Sequence, residues 1–298
     1  MLKPIVVGLD GSRESLAAAD WAGREALRRG LPLRLVHAWE GLPEDDVRAD
    51  LPELRAPQYQ ARRALRGAVE MLNERYPQLY VTAEQLRKQP RRALLAEAEN
   101  AELLAIGSLG LGGVGGFMSG SVALATIAHV ERPIVLVRAD ETATDEHLPD
   151  AFGKASTRTP HRDVAVAVDL GGTCDDVLDF AFQAAQLRQA PLRVVHAWHV
   201  PLSKGVPSAE ERTHVREAAE RALAALLEPW RTEYPAVSVH ETLHEGHAAH
   251  ILVRAAEGAG LLVVGHHSRR AGIGAHTGPV AHALIHHVNR PVVLVPHG

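Results

Sequence analysis

The sequence predicts two tandem α/β domains, each with three layers in which helices cover both faces of a five-stranded, doubly wound parallel sheet. Three observations predict this fold. The chain has 298 residues, enough for about two domains. Similar segments recur at a nearly constant offset. Within each copy, short continuous apolar runs alternate with longer stretches of helical period, which is the pattern of parallel strands buried on both faces.

The repeat is carried by two strongly similar pairs of segments. At an offset of 159 residues, 5–10 (IVVGLD) matches 164–169 (VAVAVD), and 32–39 (PLRLVHAW) matches 191–198 (PLRVVHAW). Later pairs such as Tyr76 and Tyr234 lie at an offset of 158, so one residue was gained or lost within the repeat.

The domain limits follow from this repeat. We expect a first domain at residues 1–140 and a second at residues 163–298. Between them, residues 141–162 are polar, contain two prolines and have no lasting periodicity, as is typical of a linker.

In the first copy the apolar runs and helical stretches follow in strict alternation. Strands are predicted at 5–10, 32–39, 79–86, 103–107 and 133–138, and helices at 13–29, 57–75, 90–100 and 120–130. Ser12 suits the N-cap of the first helix, and Pro90 suits the first turn of the third. Such crossovers are right-handed, and ligands bind beyond the carboxyl ends of the strands, where Asp10 and Gly107 lie.

Composition excludes several classes of partner. With 32 Lys and Arg against 36 Asp and Glu, the net charge is −4, and the basic residues are scattered, so we expect no nucleic-acid partner. No apolar run approaches the roughly 18 residues that a membrane span needs. The first 30 residues do not resemble a signal peptide, and the single cysteine, Cys174, cannot form an internal disulfide. These features favour a cytoplasmic protein without a membrane partner.

A glycine-rich stretch follows the fourth predicted strand. Residues 107–121 read GSLGLGGVGGFMSGS and lead into a helix. Glycines let a phosphate approach backbone N–H groups, and a helix N-terminus supplies unpaired donors. A flexible surface loop in which Ser121 caps the helix explains the glycine content equally well, so composition alone leaves both interpretations open.

The spacing of these residues resembles a known signature. Gly107, Gly110, Gly120 and Ser121 match G-x2-G-x9-G-S, the nucleotide-binding motif of the universal stress protein family. Residues 6–12, 35–39 and 132–137 also resemble that family's first, second and last strands. The chain is therefore identified as a tandem member of this family, whose domains have the adenine-nucleotide α-hydrolase-like fold.

The resemblance implies a nucleotide site in the first domain. Gly8, Leu9 and Asp10 would flank the adenosine, and the backbone of Ala38 would meet the adenine edge. The phosphates would be held by Gly107, Gly110, Gly120, Ser121 and Val122. The implied cofactor is ATP, with or without Mg²⁺. Asp10 has a simpler alternative role, which is to cap the loop before the first helix.

The second copy departs from this motif. Its corresponding positions are Asp169, Ala197, Gly265, Ser268 and Gly278. Pro279 replaces the terminal serine and has neither an N–H nor a hydroxyl to offer a phosphate, whereas Arg269 and Arg270 add positive charge nearby. The second site is therefore expected to be degenerate.

No catalytic or metal-ligating residue is predicted. His282 and His286 have the spacing of a metal-binding pair on a helix, but no carboxylate or cysteine nearby completes a ligand set. His37 and His196 lie within apolar strands and are interpreted as core histidines with satisfied hydrogen bonds. Trp39 and Trp198 are expected to pack at strand ends, and Cys174 is a poor nucleophile candidate because no base accompanies it.

The leading functional hypothesis is an ATP-binding stress-response protein that senses nucleotide state. Two alternatives stay open: a slow ATP-hydrolysing or adenylating enzyme of the same superfamily, and a dimerisation scaffold that binds no nucleotide. No G-x4-G-K-S/T loop and no positioned base supports the enzyme. We further expect the domains to pair through residues 133–138 and 292–296, a homo-oligomer, and an unknown regulatory protein partner.

Overall fold

The computed structural model describes residues 2–40, 52–108, 119–200, 208–267 and 279–297. These residues form two compact units, and the chain passes from the first to the second between Thr142 and Ala143. Most of the predicted linker therefore lies in the second unit, where Ala143–Glu146 form a 3-10 turn and the Arg162 N–H donates a 2.8 Å hydrogen bond to the Glu146 carbonyl. The domain limits predicted from the sequence stay a prediction.

The first unit alternates strands and helices along the chain. Its strands are β1 (Ile5–Gly8), β2 (Leu33–Ala38), β3 (Val81–Leu86), β4 (Leu103–Gly107) and β5 (Ile134–Val137). Its helices are α1 (Arg13–Arg29), α2 (Pro52–Arg75), α3 (Pro90–Glu99) and α4 (Ser119–Ile127).

All five strands of this unit run parallel, in the order β3-β2-β1-β4-β5. The chain therefore moves outward from β1 to β3 and returns to β4 on the other side of β1. The winding reverses between β1 and β4, which confirms the predicted doubly wound sheet. Ligands bind at this point in folds of this kind.

Helices cover both faces of the sheet. α1 contacts α2, and α3 contacts α4, while the apolar residues of β4 and β5 are buried between these layers. Ser12 is the N-cap of α1, and Pro90 begins α3, as the sequence predicts.

The second unit repeats this architecture. Its strands are β6 (Val164–Ala167), β7 (Leu192–Trp198), β8 (Val239–Glu245), β9 (Leu261–His267) and β10 (Val292–His297), and its helices are α5 (Asp175–Arg188), α6 (Ala209–Glu233), α7 (Ala248–Glu257) and α8 (Pro279–His287). The strands are parallel in the order β10-β9-β6-β7-β8. Connectivity is thus the same in both units.

Several predicted element limits differ from the structure by one to three residues, and the start of α2 differs by five. β1 ends at Gly8, two residues before Asp10, because the chain turns away at Gly11, whose φ is +85°. α2 begins at Pro52 instead of residue 57. Proline suits a helix start because its missing N–H would have no partner there.

Candidate functional site

The carboxylate of Asp10 orders the turn between β1 and α1. Its Oδ1 accepts a 2.9 Å hydrogen bond from the N–H of Ser12 and a second from the Ser12 hydroxyl. The Ser12 Oγ in turn accepts from the N–H of Ser15 at 3.1 Å, which caps α1. Asp10 therefore has the capping role named above as its alternative.

Asp10 is ionised at neutral pH. Burial raises the pKa of this carboxyl, but hydrogen bonds from Ser12 and Ser15 outweigh burial and bring the pKa below its ordinary value. The turn thus presents a negative charge at the carboxyl end of β1.

A cleft of about 700 Å³ opens beside Asp10. It lies between the start of α1 and α2, over the carboxyl ends of β1 and β2. Its walls combine polar groups with small and apolar side chains, from Asp10, Gly11, Leu16, His37, Trp39, Gln60, Arg63, Ala64, Gly67 and Met71. Volume and lining are those of a small-molecule site.

His37 differs from the satisfied core histidine that the sequence predicts. The ring is half-buried and lines the cleft, and its buried Nδ1 has no hydrogen-bond partner among the described residues. Burial lowers the pKa of His37, and the nearby Asp10 charge only partly opposes this, so the ring is neutral at pH 7. The prediction for His37 was wrong because this residue sits near the strand end, where the cleft replaces a packed neighbour.

Gly107 lies against the first turn of α1. A Cβ at this position would be 2.5 Å from the carbonyl carbon of Glu14 and 2.6 Å from the backbone nitrogen of Ser15. Backbone atoms cannot move aside easily, so glycine is required for close packing. At Gly8 a Cβ would be 2.8 Å from a methyl group of Leu94, a side chain that can shift more readily.

The other predicted residues of the first site are placed as follows. Leu9 donates its N–H to the carbonyl of Val36 at 2.8 Å, and Ala38 ends β2 in register with Leu86 of β3. In the first turns of α4, the carbonyl of Val122 accepts from the Thr126 hydroxyl at 2.7 Å. Gly120 and Ser121 contribute backbone to α4, and Gly110 lies outside the described residues. The phosphate-binding role of this segment stays a prediction.

The predicted second site is only partly described. The Asp169 carboxylate accepts from the Gly171 N–H at 3.0 Å, as Asp10 does from Ser12. Ala197 lies in β7, and a Cβ on Gly265 of β9 would be 2.6 Å from the His297 ring. Ser268 and Gly278 fall outside the described ranges.

Around the end of β7 the second unit differs from the first. His196 Nδ1 lies 3.0 Å from the carbonyl oxygen of Val168, so this histidine is the satisfied core residue that the sequence predicts. Trp198 is only 8% exposed. The same His-Ala-Trp segment therefore lines a cleft in the first unit and is packed away in the second.

Within the described ranges, no three His, Cys, Asp or Glu side chains are grouped so that they could hold a metal ion. Cys174 is buried, and burial together with the charges of Asp175 and Asp169 raises the pKa of its thiol. Within the same ranges, none of the helices is both long enough and apolar enough to cross a bilayer.

Sequence reasoning missed the wall of the cleft that α2 supplies. Gln60, Arg63, Gly67 and Met71 come from this helix and match no motif. One signal was present: Gly67 interrupts a helical stretch, and an isolated glycine in a helix often has a packing or functional reason.

Comparison with known proteins gives a consistent result. The profile of the Universal stress protein family matches residues 1–138 and 160–296. A universal stress protein of Mycobacterium tuberculosis is 28% identical over 300 residues, covering 97% of this chain and 96% of the relative. One from Mycolicibacterium smegmatis is 27% identical over 299 residues, covering 98% and 96%.

The fold is also similar to a solved structure. The crystal structure of a universal stress protein from Archaeoglobus fulgidus aligns with a TM-score of 0.66 and 15% identity, covering 100% of both chains. That likeness shows the shared fold, and the profile covers most of the sequence in two copies. The chain belongs to the universal stress protein family.

Proposed function

We propose that the first unit binds an adenine nucleotide, preferably ATP, and that the protein acts as a nucleotide sensor in a stress response. One observation carries the proposal: the ionised Asp10 carboxylate lines an open cleft beside the point where the winding of the sheet reverses. Ribose hydroxyls are donors that suit an ionised carboxylate, which has several acceptor positions. Membership of the family supports the same ligand class.

We propose an orientation of the ligand in which the ribose lies at Asp10, the base toward β2 and the phosphates toward β4. β1 lies between β2 and β4, so Asp10 lies between Ala38 at the end of β2 and Gly107 at the end of β4. With the ribose at Asp10, the base lies over β2. The phosphates then extend over β4 toward the start of α4, where Gly120, Ser121 and Val122 lie and the helix N-terminus favours negative charge, and Gly110 is the remaining residue proposed to hold them.

Mg²⁺ fits this arrangement as a companion of the phosphates. It usually retains several waters and binds through phosphate oxygens and one or two carboxylates. Asp10 is the carboxylate that the cleft offers. Bound Mg²⁺ would neutralise phosphate charge.

We propose a weaker nucleotide site, or none, in the second unit. Asp169, Ala197 and Gly265 retain the pattern, but Pro279 removes donors beside Ser268 and Gly278. Its buried Trp198 and satisfied His196 support this asymmetry.

The proposed mechanism of sensing is a population shift. A nucleotide stabilises the arrangement of the loops that binds it better, and a regulatory protein partner would read that arrangement. Pairing of the two domains and further self-association belong to this proposal. The proposal does not include catalysis by a positioned side chain.

The test begins with protein purified without added nucleotide. Heat-released small molecules are identified by mass spectrometry, and ATP, ADP, AMP and adenosine are titrated by calorimetry. We expect Asp10→Ala to weaken binding about tenfold or more, since a hydrogen bond to a charged group contributes about 1.5–3 kcal/mol.

Asp169→Ala is the matched control, because it removes the same kind of turn hydrogen bond from the second unit. It should leave the affinity of the first unit unchanged. If the wild type neither carries nor binds a nucleotide, the sensor hypothesis is wrong and the scaffold is favoured. Steady product formation would favour the slow enzyme.

A further inference from the structure

Trp39 is held in place by its backbone while its indole lines the cleft. Its N–H donates a 3.0 Å hydrogen bond to the Leu86 carbonyl at the end of β3. The side chain is half-buried, beside His37 and Asp10. Part of the indole is therefore accessible from the cleft without any change in the backbone.

The fold itself does not require this exposure. Trp198 occupies the same position of the repeat, 159 residues later, and is 8% exposed. Burying a tryptophan stabilises a protein, since the indole removes a large apolar area from water. The indole of Trp39 is only partly buried and gives up part of that gain, which points to a role in binding.

The remaining lining of the cleft suits a flat, apolar ligand. Leu16, Ala64 and Met71 provide apolar surface. Apart from its own helix and chain neighbours, no atom of the described residues lies within 4 Å of a Cβ added to Gly67, so the absence of a side chain there leaves space in the cleft. Apolar walls with a few polar groups are typical of sites for small aromatic molecules.

We propose that Trp39 is the stacking platform for the nucleobase in the first unit, and that the second unit has lost this platform by burying Trp198. The inference rests on the proposed nucleotide site, because the orientation set by Asp10 places the base over β2, the strand that Trp39 follows. Stacking on an aromatic side chain tolerates any base, so Trp39 supplies affinity for the ring and leaves base identity to hydrogen bonds.

The experiment uses the full chain and three variants, Trp39→Phe, Trp39→Leu and Trp198→Phe. ATP, adenosine and tripolyphosphate are titrated by calorimetry, and tryptophan fluorescence is followed during each titration. The protein has four tryptophans, and Trp21 is fully buried. Thermal unfolding of each variant checks that it folds.

We expect Trp39→Leu to weaken the binding of ATP and of adenosine by the same factor, about 10- to 100-fold. The affinity for tripolyphosphate should not change. Trp39→Phe keeps an aromatic face and should bind within about threefold of the wild type. Quenching of fluorescence by adenosine should disappear in both variants. Trp198→Phe should keep both the affinity and the quenching.

Failure of this inference is distinct from failure of the proposed function. If the wild type binds ATP but Trp39→Leu binds equally well, or quenching persists without Trp39, the stacking role is wrong and the nucleotide site stands. If Trp39→Leu weakens the binding of tripolyphosphate as much as that of adenosine, Trp39 only supports the structure of the site. If the wild type binds neither ATP nor adenosine, the nucleotide site itself is wrong.

Discussion

A methyl group on Gly107 would lie 2.5 Å from the carbonyl carbon of Glu14, so the end of β4 and the first turn of α1 are in direct backbone contact. This contact places the start of α1, together with the Asp10 turn, beside the point between β1 and β4 where the winding of the sheet reverses. Gly107 thus shapes the site through packing, whether or not its own N–H meets a phosphate.

We expect Gly107→Ala to destabilise the first unit by about 1–3 kcal/mol, the usual cost of forcing an extra carbon into a packed interior. Urea unfolding followed by circular dichroism measures the change. Gly67→Ala is the control, since its Cβ enters open space and alanine favours a helix over glycine by about 1 kcal/mol. Equal stability of the Gly107→Ala variant and the wild type would contradict the close contact.

Filling the cleft should block binding without unfolding the protein. In Gly67→Leu the new side chain occupies space that the ligand needs, and outside its own helix no atom of the described residues lies within 4 Å of the added Cβ. We expect at least a tenfold loss of ATP affinity by calorimetry, equivalent to about 1.4 kcal/mol, with thermal stability equal to or above that of the wild type. Unchanged affinity would place the ligand elsewhere.

The two units contain matched hydrogen bonds between their first and second helices. The Tyr76 hydroxyl donates to Asp20 at 3.1 Å, and the Tyr234 hydroxyl donates to Asp179 at 3.1 Å. Asp20 also pairs with Arg24, whose side chain is 9% exposed. The first unit therefore combines this bond with a buried ion pair.

Because of this difference, we expect replacement of the matched aspartate by alanine to reduce stability more in the first unit than in the second. Asp20→Ala should cost about 3 kcal/mol, because it takes a carboxylate from the buried Arg24 guanidinium. Asp179→Ala should cost less, about 1–2 kcal/mol, because it removes only the hydrogen bonds from the neutral side chains of Tyr234 and Gln183. Urea unfolding of both variants gives the comparison, and equal losses would show that the Arg24 pair adds nothing.

Stability should fall as the pH falls from neutral. The pKa of His37 lies below its ordinary value of 6.5, so between those two pKa values the unfolded chain binds a proton that the folded chain does not. The stabilising contribution of Asp10 is complete above pH 3.8 and is lost as the pH falls through its lowered folded pKa. Both groups therefore act in the same direction.

His37→Gln isolates the first effect. The urea midpoint of this variant should depend less on pH than that of the wild type just below pH 6.5, while the acid loss due to Asp10 remains. A variant with the full wild-type slope would show that His37 does not contribute.

Much of the architecture could be predicted because it depends on local pattern. Apolar runs located β4 and β5, and capping preferences located the starts of α1 and α3 at Ser12 and Pro90. The face of α2 that lines the cleft matches no motif, and it is positioned by packing against α1, β2 and β3. Gln60, Arg63 and Met71 could therefore not be assigned to a cleft in advance.

By itself, the sequence determined a duplicated α/β chain in which Asp10, Ala38 and Gly107 come to one edge of a sheet, because parallel strands end on the same side. Only the tertiary structure decided in which copy a cleft forms beside this edge. His37 and Trp39 line a cleft, whereas His196 and Trp198 are packed away, although the segment His-Ala-Trp is the same in both. Burial of these side chains depends on helices distant in sequence, and the local segment does not specify which residues pack against it.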